Sequence, residues 1–159
     1  MKLSSQEEIG VRCLVQLAGS PGSAATIQEV ARAEGLSPAY VAKVLSVLRK
    51  AGLVLASRGR DGGYALARPS DDIALSEVLA ALGGRLYDGG FCAAHAGHVP
   101  SAGARCAHDG NCSIRPVLVE VDRLVHVALS RVSLKSLVRS EPAVHAWLKM
   151  RLAPAAGEA

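Results

Sequence analysis

"LSPAYVAKVLSVLRKAGLVLASRGRDGGYALAR", residues 36–68, sets the architecture of this chain. Ser37 followed by Pro38 has the form of a helix start. A hydroxyl caps the free amides, and proline sits at the first helical position, where its missing N–H costs nothing. Val41, Val44, Leu45 and Leu48 then recur on one face at helical spacing. Arg49 and Lys50 fall in the last turn, where positive charge suits the negative end of the helix dipole, and Gly52 stops the helix. Two short β-prone runs follow, "LVLASR" and "YALAR", joined by "GRDGG". An Asp-Gly pair between apolar runs signals a hairpin.

Upstream, Thr26 with Glu29 three residues on makes a capping box that opens "IQEVARAEG", and Gly35 closes it. Further back, "SSQEEIGVRCLVQLAGS" places Ile9, Cys13, Leu14 and Leu17 at helical spacing, with Ser5 and Glu8 in capping-box form, before "SPGS" breaks the helix. Residues 1–68 therefore predict helix, helix, helix, hairpin. The second and third helices form a helix-turn-helix, and the hairpin makes it winged.

In such a motif the second helix enters the major groove of DNA. Here that recognition helix is 38–51, with Ala39, Tyr40, Ala42, Lys43 and Ser46 facing outward and Ser37 at its start. Lys43 suits a phosphate, and Tyr40 a phosphate or a base. Arg58 and Arg60 sit on the wing, where guanidinium groups suit a narrow minor groove, and Gly59, Gly62 and Gly63 keep the tip thin. Charge agrees. Residues 1–70 hold nine Lys/Arg against five Asp/Glu, whereas residues 71–159 hold nine of each, so the whole excess of +4 lies in the N-terminal part.

After "PSDD", "ALSEVLAALGG" reads as an amphipathic helix. A long helix is expected from Ile114 to Val132, with Pro116 tolerated in its first turn. Val117, Leu118, Val121, Leu124, Val125, Ala128 and Leu129 share one stripe, and Arg115, Glu120, Asp122 and Arg123 lie away from it. So long a stripe points to packing against a partner chain. "SLKSLV" and "EPAVHAWLKMRL" begin two further short helices. The expected organisation is a winged helix-turn-helix DNA-binding domain over 1–70, a connecting helix and Cys-bearing loop over 71–113, and a dimerisation helix with C-terminal helices over 114–152. The fold class is mainly α with a small β-hairpin wing.

The stretch "CAAHAGHVPSAGARCAHDGNC", residues 92–112, gathers three of the four cysteines and three of the five histidines. No run of 18 apolar residues spans a membrane, and "MKLSSQEEIG" lacks the apolar core of a signal peptide, so a cytoplasmic chain with reduced thiols is expected. Cysteines there read as metal-binding or redox-active before they read as disulfides. Thiolates suit an iron–sulfur cluster and zinc alike, and spacing alone leaves both open, though the tight C-x₂₋₄-C pairs usual for structural zinc are missing. Cys13, on the apolar face of the first helix, reads as a small core residue. No Gly-rich phosphate loop and no nucleophile–base arrangement occurs, which argues against an enzyme.

The stretch from "LSPAYVAKV" to "LSEVLAAL", followed by a Cys-bearing loop and a long helix ending in "SLKSLV", resembles the IscR/NsrR/RirA-type winged-helix transcription regulators, the Rrf-two family. The resemblance runs from "MKLS" to about Val138. It implies a homodimer on a palindromic double-stranded operator and, in many members, an iron–sulfur cluster held between the Cys loop of one subunit and the DNA-binding part of the other. By resemblance Cys92, Cys106 and Cys112 are ligands, Glu8 is the fourth, and Arg58 is the wing arginine. Arg115 stands where IscR-type members place a ligating His. Ala42 stands where they carry an acidic residue that helps select targets. Thirteen residues separate Cys92 from Cys106, a long gap similar to the RsrR-like redox-sensing branch, which favours [2Fe–2S] over [4Fe–4S]. That branch also uses a His before the recognition helix, and Glu34 stands there instead; His98 and His108 are loop alternatives. The rival reading is a metal-free regulator of the same fold that senses through a thiol switch or a small ligand.

Overall fold

The computed structural model describes residues 3–19, 24–59, 62–85, 87, 90, 108 and 111–151, the last for its backbone alone. Three helices lead: α1 (Ser5–Gly19), α2 (Ile27–Glu34) and α3 (Pro38–Lys50). Strands β1 (Val54–Ser57) and β2 (Gly63–Leu66) form the hairpin, antiparallel with Val54 opposite Leu66 and Ser57 opposite Gly63. A 3-10 turn at Ser70–Asp72 leads into α4 (Leu75–Ala81), and α5 (Ile114–Ser130), α6 (Leu134–Leu137) and α7 (Glu141–Arg151) complete the described chain. The mainly helical, winged architecture expected from the sequence is present.

Local chemistry sets the helix ends. Thr26 Oγ1 accepts from the Glu29 N–H at 3.2 Å while the Glu29 carboxylate accepts from the Thr26 N–H at 2.7 Å, the reciprocal capping box. These bonds hold the Glu29 carboxyl below its ordinary pKa. Gly35 adopts φ 65°, and the Leu36 N–H reaches back to Ala31 O at 2.9 Å, a Schellman-type stop that turns the chain into α3. Ser37 caps α3 by accepting from the Tyr40 N–H at 3.3 Å.

One cap differs from its expectation. The box at the start of α1 is formed by Ser4 and Glu7, not by Ser5 and Glu8. Ser4 Oγ accepts from the Glu7 N–H at 3.3 Å, and Glu7 Oε2 accepts from the Ser4 N–H at 2.8 Å. "SSQEE" offers the same box in two registers, and packing chooses between them. Glu7 is buried, and a Cβ on Gly84 would stand 3.1 Å from its Oε1. Glu8 is left facing solvent.

The core joins α1, α3 and the elements behind them. Cys13, Leu14, Val41, Val44, Leu45, Leu48, Leu53, Ile73, Val78 and Leu134 are fully buried, and burial of each large aliphatic side chain contributes about 1.5–3 kcal/mol. Two isolated bridges, absent from the sequence reading, fasten the periphery. Ala25 pairs with Tyr64, tying the chain ahead of α2 to the wing, and Ala74 pairs with Ser133, tying α4 to the corner after α5. A Cβ on Gly63 would come within 2.7 Å of the Ala25 carbonyl oxygen, which is backbone and cannot rotate away. Gly63→Ala is expected to destabilise the fold by about 1–3 kcal/mol. A lower urea midpoint with an unchanged m value is the check.

The long helix ends at Ser130 rather than Val132 and has two faces. Val125 and Leu129 lie towards α4 and are half-buried, whereas Val117, Leu118, Val121 and Leu124 are exposed. Asp122, expected on the solvent side, is buried. Its Oδ2 accepts from Arg85 Nη2 at 3.0 Å and its Oδ1 from the Tyr87 N–H at 3.3 Å. A partner 37 residues away in sequence rescues the buried charge, and no helical pattern announces it.

Candidate nucleic-acid interface and metal-ligating residues

The helix-turn-helix presents a basic outer surface. On α3, Ala39, Lys43, Arg49 and Lys50 are exposed, and Arg32 is exposed in the last turn of α2. Tyr40 is divided: its body packs against the core cluster and the residue is only half-buried. Ser37 is exposed, its oxygen already accepting the cap bond, which leaves its O–H as a donor. Arg58 is exposed where β1 ends, next to Gly59 at φ 115°. Five described cations thus stand on the two helices and the wing, in keeping with the charge excess of residues 1–70. Arg60 lies outside the described residues.

Of the four expected metal ligands, Glu8 and Cys112 are described, and Cys92, Cys106 and His98 lie outside the described residues. Among the described residues no three His, Cys, Asp or Glu side chains gather as a metal site. Cys112 is a free, half-buried thiol two residues before α5. The Glu8 carboxylate is 57% exposed on the first turn of α1. Its Oε1 accepts from Arg12 Nη2 at 2.9 Å. Arg12 Nη1 stands 3.5 Å from Glu34 Oε2, and the Glu8 hydrogen bond together with both carboxylates raises the guanidinium pKa. The sequence reading missed this bridge, because its ends lie 22 residues apart on two helices; the Glu8–Arg12 half, at i and i+4, is a pattern a helix does announce.

An exposed carboxylate free of capping duty and an accessible thiol are donors of the kind a cluster takes, so the described part of the ligand set fits. Cys13 does not belong to it. Its side chain is fully buried, and desolvation, helped by the charge of Glu34, pushes the thiol up to about 11 from an ordinary 9.0. Since the unfolded thiol ionises first, this group favours the fold below pH 9.0 and its contribution is lost as pH rises towards about 11. An alkylating reagent at pH 8 is expected to modify Cys112 in the native chain and Cys13 only after unfolding, as read by peptide mass mapping. Labelling of Cys13 at the same rate as Cys112 would contradict its burial.

Comparison with known proteins follows the same lines. The profile of the Rrf2 family, described as "Iron-dependent Transcriptional regulator", matches residues 3–140. Rv1287 of Mycobacterium tuberculosis, named for an HTH-type transcriptional regulator, is 39% identical over 87 residues, 54% of each chain. Protein rrf2 of Nitratidesulfovibrio vulgaris is 38% identical over 84 residues, 52% of this chain and 55% of its own. The chain spans about half the length of the curated relatives it matches. Among solved structures, IscR of T. potens superposes with a TM-score of 0.64 and 25% identity over 99% of this chain and 94% of its own. CymR, the global cysteine regulator of B. subtilis, superposes with a TM-score of 0.66 and 24% identity over 87% and 96%.

Proposed function

This chain belongs to the Rrf2 family of DNA-binding transcriptional regulators, not enzymes, and from that membership we propose a homodimeric, cytoplasmic sensor whose signal enters through an iron–sulfur cluster. The observation that carries the sensing half is Glu8: a solvent-facing carboxylate at the start of the DNA-binding part, released from capping by Glu7. Glu8 of one subunit joins Cys92, Cys106 and Cys112 of the other. A bound cluster supplies redox, nitric-oxide or iron sensitivity. The protein's own task is to turn ligation into the spacing of two recognition helices, which must match two half-sites of a palindromic operator.

Dimerisation rests on α5. Ile114, Val117, Leu118, Val121 and Leu124 recur at spacings of three and four, so they form one continuous stripe, and all five are exposed. A contiguous apolar strip on a soluble surface marks an interface. An isologous pairing of two such helices buries it and sets the two recognition helices about a two-fold axis. No described helix is long and apolar enough to cross a membrane.

On DNA, Lys43, Ser37, Ala39 and Tyr40 read or clamp the major groove, and Arg58 with Arg60 reaches the neighbouring minor groove. Lys43→Ala is expected to weaken binding about equally for all sequences and to lower the salt slope by roughly one. Fluorescence anisotropy across a salt series checks it. An unchanged slope removes Lys43 from the phosphate contacts.

The cluster is tested by an absorption spectrum of protein purified without oxygen, with iron and sulfide assayed on the same sample. Visible bands that bleach with dithionite or nitric oxide support the reading. The iron count then separates [2Fe–2S], the form favoured by the long Cys92–Cys106 gap, from [4Fe–4S]. A colourless protein without iron or sulfide after reconstitution overturns it in favour of a metal-free regulator.

A further inference from the structure

Glu8 and the recognition helix lie on different elements, and one side chain reaches towards both. Arg12 follows Glu8 by one turn of α1. It donates to Glu8 at 2.9 Å and stands 3.5 Å from Glu34. Glu34 ends α2, and its side chain is only 9% exposed. Gln16 Nε2, also from α1, donates to the same carboxylate at 2.5 Å. The next residues are the left-handed Gly35, then Leu36, then Ser37, the cap of α3. The hinge of the helix-turn-helix is therefore fastened to α1 through Glu34, and Arg12 divides its donors between this anchored carboxylate and the exposed one.

Resting on the reading above, we propose that Arg12 is a positioning residue that couples Glu8 to the turn ahead of the recognition helix. A carboxylate engaged as a ligand has less to offer a guanidinium. When Glu8 is engaged, Arg12 turns its donors to Glu34 and tightens the end of α2 against α1. When Glu8 is free, Arg12 is shared and the turn is held more loosely. The planar fork suits this role because it addresses two carboxylates at once, whereas a lysine ammonium is a single point of charge. Two arrangements of one short element, biased by one remote ligand, are what coupling between sites requires.

The test uses the full-length chain in two ways. In cluster-free protein, Glu8→Ala stands for a Glu8 withdrawn from Arg12, and amide exchange is followed at Gly35 and Leu36. The relay predicts slower exchange in Glu8→Ala by about twofold or more and faster exchange in Arg12→Ala. Glu8→Ala is expected to add nothing once Arg12 is gone. An effect of Glu8→Ala that is the same with and without Arg12 overturns the relay. In cluster-loaded protein, Arg12→Ala keeps its iron, but the ratio of operator affinities between loaded and cluster-free forms collapses to less than about twofold, with partial recovery in Arg12→Lys. A full ratio in Arg12→Ala overturns the proposal. A wild-type chain that takes up no iron overturns the cluster reading alone, and the exchange measurement then decides the relay by itself.

Discussion

Val121→Glu in the middle of the exposed stripe of α5 is expected to give a folded monomer that no longer holds its operator. Val121 and its neighbours Val117, Leu118 and Leu124 contact little of their own chain, so the substitution leaves the core untouched. Far-ultraviolet circular dichroism and the urea midpoint are expected to stay near wild type. In the dimer, each two-fold pairing would bury two unpaired carboxylates, and an uncompensated buried charge costs about 3–5 kcal/mol. That is roughly a hundredfold to several thousandfold in the association constant. Operator affinity falls with it, because one subunit contacts only one half-site. Light scattering gives the mass and anisotropy gives the affinity. A Val121→Glu protein that stays dimeric and binds normally would move the interface off this stripe. A substitution at Val125 or Leu129 tests something else, since these half-buried residues face α4 and their loss acts first on the fold.

Cys112→Ser is expected to have the largest effect on sensing. A serine hydroxyl is a far poorer ligand than a thiolate, so iron and sulfide in the purified protein are expected to fall to a small fraction of wild type. The difference between loaded and cluster-free operator affinity, on the order of five- to hundredfold for coupling of 1–3 kcal/mol, collapses to none. Cys13→Ser is the control of the same chemistry in the wrong place. It buries a hydroxyl in the apolar core, lowers stability, and leaves iron content unchanged in the protein that remains folded. Iron retained in Cys112→Ser would remove this cysteine from the ligand set.

The DNA-binding half was readable in the sequence because its determinants are local. Ser37-Pro38, the Thr26–Glu29 box and Gly35 fix helix ends within four residues, and Val41, Val44, Leu45 and Leu48 reach the core through a period of 3.6. What escaped depends on distance along the chain. The choice of Glu7 over Glu8 as the capping acid was made by burial beside Gly84, and the burial of Asp122 by Arg85. The Ala25–Tyr64 bridge joins segments 39 residues apart. The same holds for the site. Glu8 entered through a resemblance, whereas its link to Glu34 through Arg12 becomes visible only when α1 and α2 are packed together.

The most direct test of the account is an anisotropy titration of one duplex, selected by the protein itself from a randomised pool, with the same preparation before and after its cluster is removed. The account predicts salt-dependent binding in both states, with affinities that differ by about fivefold or more. Equal affinities in a protein shown to carry iron and sulfide would contradict it, because the cluster would then have no influence on the helices that read the operator.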